Sequence, residues 1–229
     1  MIAVIGDIHG CYYTLIELFN KIKVKYQNIP LYCVGDMVDR GNHSFEVMKF
    51  VISEGIKFTP GNHDYMFLYF FKDPTSIFAR SWVFNGSETT LESYESHEDD
   101  VFKHIEVIKN APLFFDTSDC LITHAGISKQ YEKFLPGDFK SNHKLVTEAI
   151  IRDFKNDFGV LWARGDLLDI GKLQVVGHTK QQEIILDEKA NAVYIDTGAC
   201  VGNKLSAVII HENQITDVLE AKTNLNDII

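Results

Sequence analysis

Apolar and polar positions change period along the chain, and the changes predict the elements. Residues 1–5 form a short apolar run that stops at Gly6-Asp7, the pattern of a buried strand. Leu15, Leu18, Phe19 and Ile22 then recur at helical spacing within 12–24. Residues 31–34 read as a second buried strand ending at Gly35-Asp36, and 45–53 as a helix with Val47, Phe50 and Val51 on one face. A third strand, 56–59, ends at Pro60-Gly61-Asn62-His63. Three strand-to-helix units in succession predict parallel strands with helices on their faces. Residues 73–110 break this rhythm. Trp82 stands there with Glu88, Glu92, Glu95, Glu98, Asp99 and Asp100 in weak helical periodicity. We read this stretch as a helical insertion over or beside the sheet, with its acids on a solvated face, and expect it to shape access to a site. Further on, 113–115 and 120–123 predict two strands across a Thr117-Ser118-Asp119 turn, and 143–154 a helix. Strands at 173–176, 184–186, 193–195, 205–210 and 215–219 follow, separated by polar or glycine-containing turns. An α/β beginning and a β-rich end fit a two-sheet β core flanked by helices, with no domain boundary between residues 1 and 229.

Composition narrows this picture. The 229 residues are 45% hydrophobic, 12% aromatic and 24% charged, ordinary values for a chain with a substantial core. Lysine and arginine number 22 against 32 acids, a formal charge of −10. A field of that sign repels polyphosphate backbones, so non-specific nucleic-acid binding is not expected, and any phosphate must be attracted locally. The amino terminus lacks a basic region followed by a long apolar stretch, and clusters such as 66–71 are too short to span a membrane. Cys11, Cys33, Cys120 and Cys200 show no metal-finger spacing. They read as buried small hydrophobes in a reducing, cytoplasmic setting, although Cys11 and Cys200 stand beside the motifs below.

Those motifs are the strand ends. They are Gly6-Asp7-Ile8-His9-Gly10, Gly35-Asp36-Met37-Val38-Asp39-Arg40-Gly41, Gly61-Asn62-His63-Asp64, Thr123-His124-Ala125-Gly126 and Val176-Gly177-His178-Thr179. Each apolar run stops in a polar, metal-competent residue beside a glycine that lets backbone approach closely. Ligands in open α/β sheets bind beyond the carboxyl ends of strands. A single histidine there is ordinarily just hydrogen-bonded. Here four of nine histidines (His9, His63, His124, His178) share the placement, whereas His43, His97, His104, His143 and His211 do not.

The set GDIHG, GDMVDRG, GNHD, HAG and GHT resembles the phosphoprotein phosphatase family of calcineurin-like metallophosphoesterases, in the family's order from Gly6 to Thr179. The short chain is similar to the small bacterial and bacteriophage serine/threonine phosphatases, which are little more than a catalytic domain. The resemblance implies a calcineurin-like fold and two divalent metal ions. Asp7 and His9 would hold one, Asp36 would bridge, and Asn62, His124 and His178 would complete the second. Mixed oxygen and nitrogen ligation without thiolate suits manganese, with iron or zinc as alternatives. Two such ions about 3.5–4 Å apart can share a water and bring its pKa toward roughly 7, so that a bridging hydroxide attacks phosphate in line. By resemblance His63 is the general acid, Asp39 orients it, and Arg40 binds phosphate oxygens. Arg164, in Leu161-Trp162-Ala163-Arg164-Gly165, is the expected second arginine, preferred over Arg80 or Arg152. Asp196 is expected to support His178.

The implied activity is metal-dependent phosphomonoester hydrolysis, with a phosphorylated protein or a small phosphoester as substrate. The alternative is a symmetrical dinucleoside tetraphosphatase, which shares several motifs. Those enzymes typically lose the aspartate of the Asp-Arg-Gly unit, which is intact here as Asp39-Arg40-Gly41.

Overall fold

Strand β1 (Ile2–Ile5) is buried along its whole length, and its alternate residues serve two different cores. Ile2 and Val4 point into one, Ala3 and Ile5 into the other, as a two-residue period requires. The computed structural model describes residues 1–228. In it, β1 is the centre of a five-stranded sheet with β2 (Leu31–Cys33) and β3 (Lys57–Phe58) parallel on one side. Strand β9 (Lys204–His211) pairs antiparallel on the other side, followed by β10 (Gln214–Lys222) at the edge.

A second five-stranded sheet runs β4 (Phe114–Asp116), β5 (Leu121–Thr123), β6 (Gln174–Val176), β8 (Ala192–Tyr194), β7 (Ile185–Asp187). Its three inner strands are parallel and its two edges antiparallel. Ile2, Val4, Val34, Val208 and Ile210 of the first sheet pack against Ile122, Val175, Val193 and Ile195 of the second. Each such aliphatic side chain contributes about 1.5–3 kcal/mol by leaving water.

Helices cover the outer faces. Helices α1 (Tyr12–Lys25), α2 (Ser44–Ser53) and α3 (Asn62–Lys72) share a core with the first sheet. Helices α4 (Ile77–Val83), α5 (Glu88–Tyr94) and α6 (Glu98–Asn110) extend that core through Trp82, Tyr94, Val101, Ile105 and Ile108. Helix α7 (His143–Asp153) covers the second sheet. The expected α/β architecture is therefore present, and the insertion is three helices. Its acids face solvent, except that Asp100 is partly covered and ion-paired with Lys103 at 2.7 Å. Trp82, by contrast, is fully buried. Among the described residues, no helix is long and apolar enough to cross a membrane.

Candidate metal centre

Strands β1, β2 and β3 run parallel, so their carboxyl ends open on one rim, and β5 and β6 bring the second sheet's ends to it. The first two loops are laced together by backbone. The N–H groups of Ile8 and His9 donate to Asp36 O at 3.1 and 2.7 Å, and Gly10 N–H donates to Met37 O at 2.9 Å. Asp64 adds a side-chain tie, accepting from the N–H groups of Gly61 at 2.8 Å and Met37 at 2.9 Å. The lacing places Asp36 centrally. Its Oδ2 lies 3.3 Å from His9 Nε2 and 3.6 Å from His124 Nε2, while Oδ1 accepts His63 N–H at 2.9 Å.

Second contacts fix the histidine tautomers. His9 Nδ1 faces Val38 O at 2.8 Å and His124 Nδ1 faces Val34 O at 2.9 Å. A carbonyl can only accept, so each Nδ1 carries the proton and each Nε2 presents its lone pair to the site. Asn62 Oδ1 lies 3.0 Å from His124 Nε2 and 2.9 Å from His178 Nδ1. At His124 Nε2 an oxygen lone pair faces a nitrogen lone pair with no hydrogen to share, and a cation there resolves the conflict.

Two further observations fit divalent metal. Asp7 accepts His178 N–H at 3.0 Å through Oδ2, but its buried Oδ1 and the buried Nε2 of His178 have no hydrogen-bond partner. Space is also kept open by glycine. A Cβ on Gly177 would stand 1.9 Å from Asp7 Oδ1, and one on Gly61 would stand 1.9 Å from Asp36 Oδ1. Ligand atoms of Asp7, Asp36 and His124 all lie within 4.8 Å of one another, as do those of His9, Asp36 and His63. Asp36 belongs to both groups.

The electrostatics divide the ligands. Burial, with Asp196 and Asp36 nearby, pushes the Asp7 carboxyl well above its usual range. Burial opposes charge on Asp36 too, but the imidazoles of His124, His63 and His9 outweigh it and hold that carboxyl well below. Burial lowers His124, and burial with His124 beside it pushes His178 down to about 3. Burial lowers His9 too, but Asp36 beside it outweighs that and raises its pKa. Neutral His124 and His178 are thus in the state a divalent ion requires, whereas Asp7 must give up its proton to bind one.

At the rim His63 Nδ1 meets Asp39 Oδ2 at 2.6 Å, both side chains buried. Arg40 is exposed. It donates to His9 Nε2 at 2.8 Å and His63 Nε2 at 2.9 Å, and its fork thus spans both imidazoles. Cys200 lies against Arg40, whereas Cys33 and Cys120 are buried as expected of small hydrophobes. Arg164 is exposed on the side of His178, whose ring feels its charge, while Arg152 is tied to Asp153 at 2.5 Å.

One reading of the sequence needs correction. Asp196 does not support His178, whose Nε2 is unpartnered. It accepts Gly198 N–H at 3.0 Å and instead crowds Asp7. Trp82 and Thr90, to which no role was assigned, both reach Asp39. The indole alone in an acidic stretch was the available signal.

A buried cluster of oxygen and nitrogen ligands, without thiolate, sharing one carboxylate where two sheets meet defines a metal-dependent hydrolase. Residues 1–194 match the calcineurin-like phosphoesterase family, and the chain belongs to that family; it is a metallophosphoesterase, a hydrolytic enzyme. A curated relative from Anoxybacillus flavithermus, named bis(5'-nucleosyl)-tetraphosphatase PrpE [asymmetrical], is 30% identical over 94% of this chain and 92% of its own length. Among solved structures, a cold-active protein-tyrosine phosphatase from a Shewanella species is similar with TM-score 0.63 and 16% identity, covering 97% of this chain and 80% of that one. A protein serine/threonine phosphatase from Saccharomyces cerevisiae aligns with TM-score 0.56 and 19% identity over 97% of this chain and 79% of its own. At these identities the two structures speak for the fold.

Proposed function

We propose that the protein is a phosphomonoester hydrolase of the phosphoprotein phosphatase type, with phosphoserine and phosphothreonine side chains as first substrate class. The observation that carries this is the 2.6 Å pairing of His63 with Asp39 beside the ligand cluster. In this reading Asp7 and His9 would hold one divalent ion and Asn62, His124 and His178 the other, with Asp36 shared between them. Manganese is the first choice, with iron and zinc as alternatives. Bound ions supply Lewis-acid charge and acidify water.

The chain's own residues supply the remainder. Arg40 moves its two donors from the imidazoles onto the phosphate's non-bridging oxygens, because a guanidinium fork matches them. Arg164 approaches from the His178 side as the second phosphate ligand. The departure of Arg40 frees His63 Nε2, which takes a proton from solvent water and passes it to the leaving oxygen while Asp39 keeps the ring oriented. A serine alkoxide leaves poorly without that proton, so the pair matters most for alkyl phosphates.

A second reading, hydrolysis of dinucleoside tetraphosphates, is favoured by the name of the Anoxybacillus relative. That name specifies the asymmetrical reaction, where the sequence suggested the symmetrical one. A leaving nucleotide ends in phosphate, whose second pKa is about 6, and needs little help from an acid.

The test is one panel with Mn²⁺: phosphoserine, phosphothreonine and phosphotyrosine peptides beside a dinucleoside tetraphosphate, with a chelated control. The first reading expects the highest kcat/KM on phosphoserine or phosphothreonine. A clear preference for the dinucleotide would replace it with the second.

A further inference from the structure

We propose that Trp82 and Thr90 are positioning residues for leaving-group protonation, acting on His63 through the Asp39 carboxylate. This rests on the reading of His63 as the acid. Asp39 is completely buried, and its carboxylate is enclosed by donors from the inserted helices. Trp82 Nε1–H on α4 donates to Oδ1 at 3.0 Å and Oδ2 at 2.9 Å. The Thr90 hydroxyl on α5 donates to Oδ1 at 2.7 Å. Oδ2 then accepts from His63 Nδ1. A buried carboxylate with one partner would be costly, and these donors satisfy it while leaving one direction open to the imidazole.

The same segment holds the backbone. Asp39 and Arg40 have φ of +73° and +74°, a strained conformation for residues with side chains. Asp39 N–H donates to Thr90 Oγ1 at 2.9 Å and Ser44 Oγ at 3.1 Å, and Arg40 N–H donates to Gly86 O at 3.3 Å. Residues 82–90 therefore fix the angle from which Asp39 meets His63. Trp82 is itself immobilised, with Phe67 and Phe70 ring centroids at 5.3 and 4.8 Å. Packing alone would be served by any large aromatic. The aim of the indole N–H at both carboxylate oxygens is what assigns a polar role.

A merely structural residue would affect all substrates alike, whereas a residue that aims the acid affects only those needing a proton. The experiment compares kcat on 4-nitrophenyl phosphate, a good leaving group, with kcat on a phosphoserine peptide. Variants are Trp82→Phe, Thr90→Val and Thr90→Ser, all in the metal-loaded enzyme, with His63→Asn as reference. Trp82→Phe and Thr90→Val should each lower kcat on phosphoserine roughly tenfold to a hundredfold, the worth of one hydrogen bond to a charged group, with metal content and aryl phosphate turnover nearly unchanged. Thr90→Ser, which restores the hydroxyl, should recover most of the loss. Equal losses on both substrates, or none, would overturn the proposal. If His63→Asn is leaving-group selective and Thr90→Val is not, the positioning role alone fails. If His63→Asn shows no selectivity, the acid reading fails and the positioning role with it.

Discussion

Five residues of the site hold backbone that side chains seldom adopt: His9, Asp36, Asp39, Arg40 and His178, with φ between +47° and +74°. Each such residue costs about 1–3 kcal/mol, so the surrounding hydrogen bonds must over-determine it. At Asp36 the strain aims one carboxylate at His9 and His124 together. That geometry predicts that Asp36→Asn loses both metals, because one neutral amide cannot offset two cations. Elemental analysis finding two ions retained would rule out the bridge. His63 is different, with Nδ1 on Asp39 and Nε2 on Arg40 rather than aimed at Asn62 or Asp7. We therefore expect His63→Asn to keep its metals while losing roughly 10²–10⁴-fold in kcat on a phosphoserine peptide. Unchanged turnover there would remove the acid from the mechanism.

At the scale of elements, every strand expected from the apolar runs is present, with ends shifted by a residue or two except in β10, which runs three residues further, to Lys222. The runs of β1, β2 and β6 are short, fully buried and stopped by Gly-Asp or Gly-His, which is a local signal. Helix α3 was harder to see, since it starts inside the Asn62-His63-Asp64 motif and is buried from Asn62 to Leu68 without a polar stripe. The roles of Trp82 and Thr90 were illegible for another reason. They meet Asp39 across 43 and 51 residues of sequence, and only the packing of α4 and α5 creates the contact. His104 on α6 is similar: an unassigned histidine that proves to be buried, 2.7 Å from the Tyr94 hydroxyl. Burial lowers its pKa from 6.5, so the unfolded chain binds this proton first and stability falls as pH drops below about 6.5. A His104→Gln variant should lose less Tm than the parent between pH 7.5 and 5.5. Parallel losses would show that the ring does not contribute.

Across the whole molecule, the site depends on two sheets staying in register. Loops of the first sheet carry Asp7, His9 and Asp36, the start of α3 carries Asn62, and loops of the second sheet carry His124 and His178. Ile122, two residues before His124, lies fully buried between them. Ile122→Ala should cost about 2–5 kcal/mol in denaturant unfolding and also weaken metal binding. Full metal affinity in that variant would mean that the loops hold the site without the core. The net charge of −10 also takes on a location. Asp7, Asp36 and Asp39 sit at the site, where metal and hydrogen bonds would offset them, while the acids of α5 and α6 other than the partly covered Asp100 face water. The most direct test of the account is to strip the protein with chelator and titrate Mn²⁺ back while following phosphoester hydrolysis and bound metal. The account predicts no turnover in the stripped protein and full turnover at two ions per chain. Hydrolysis that persists without metal, or saturates at one ion, would contradict it.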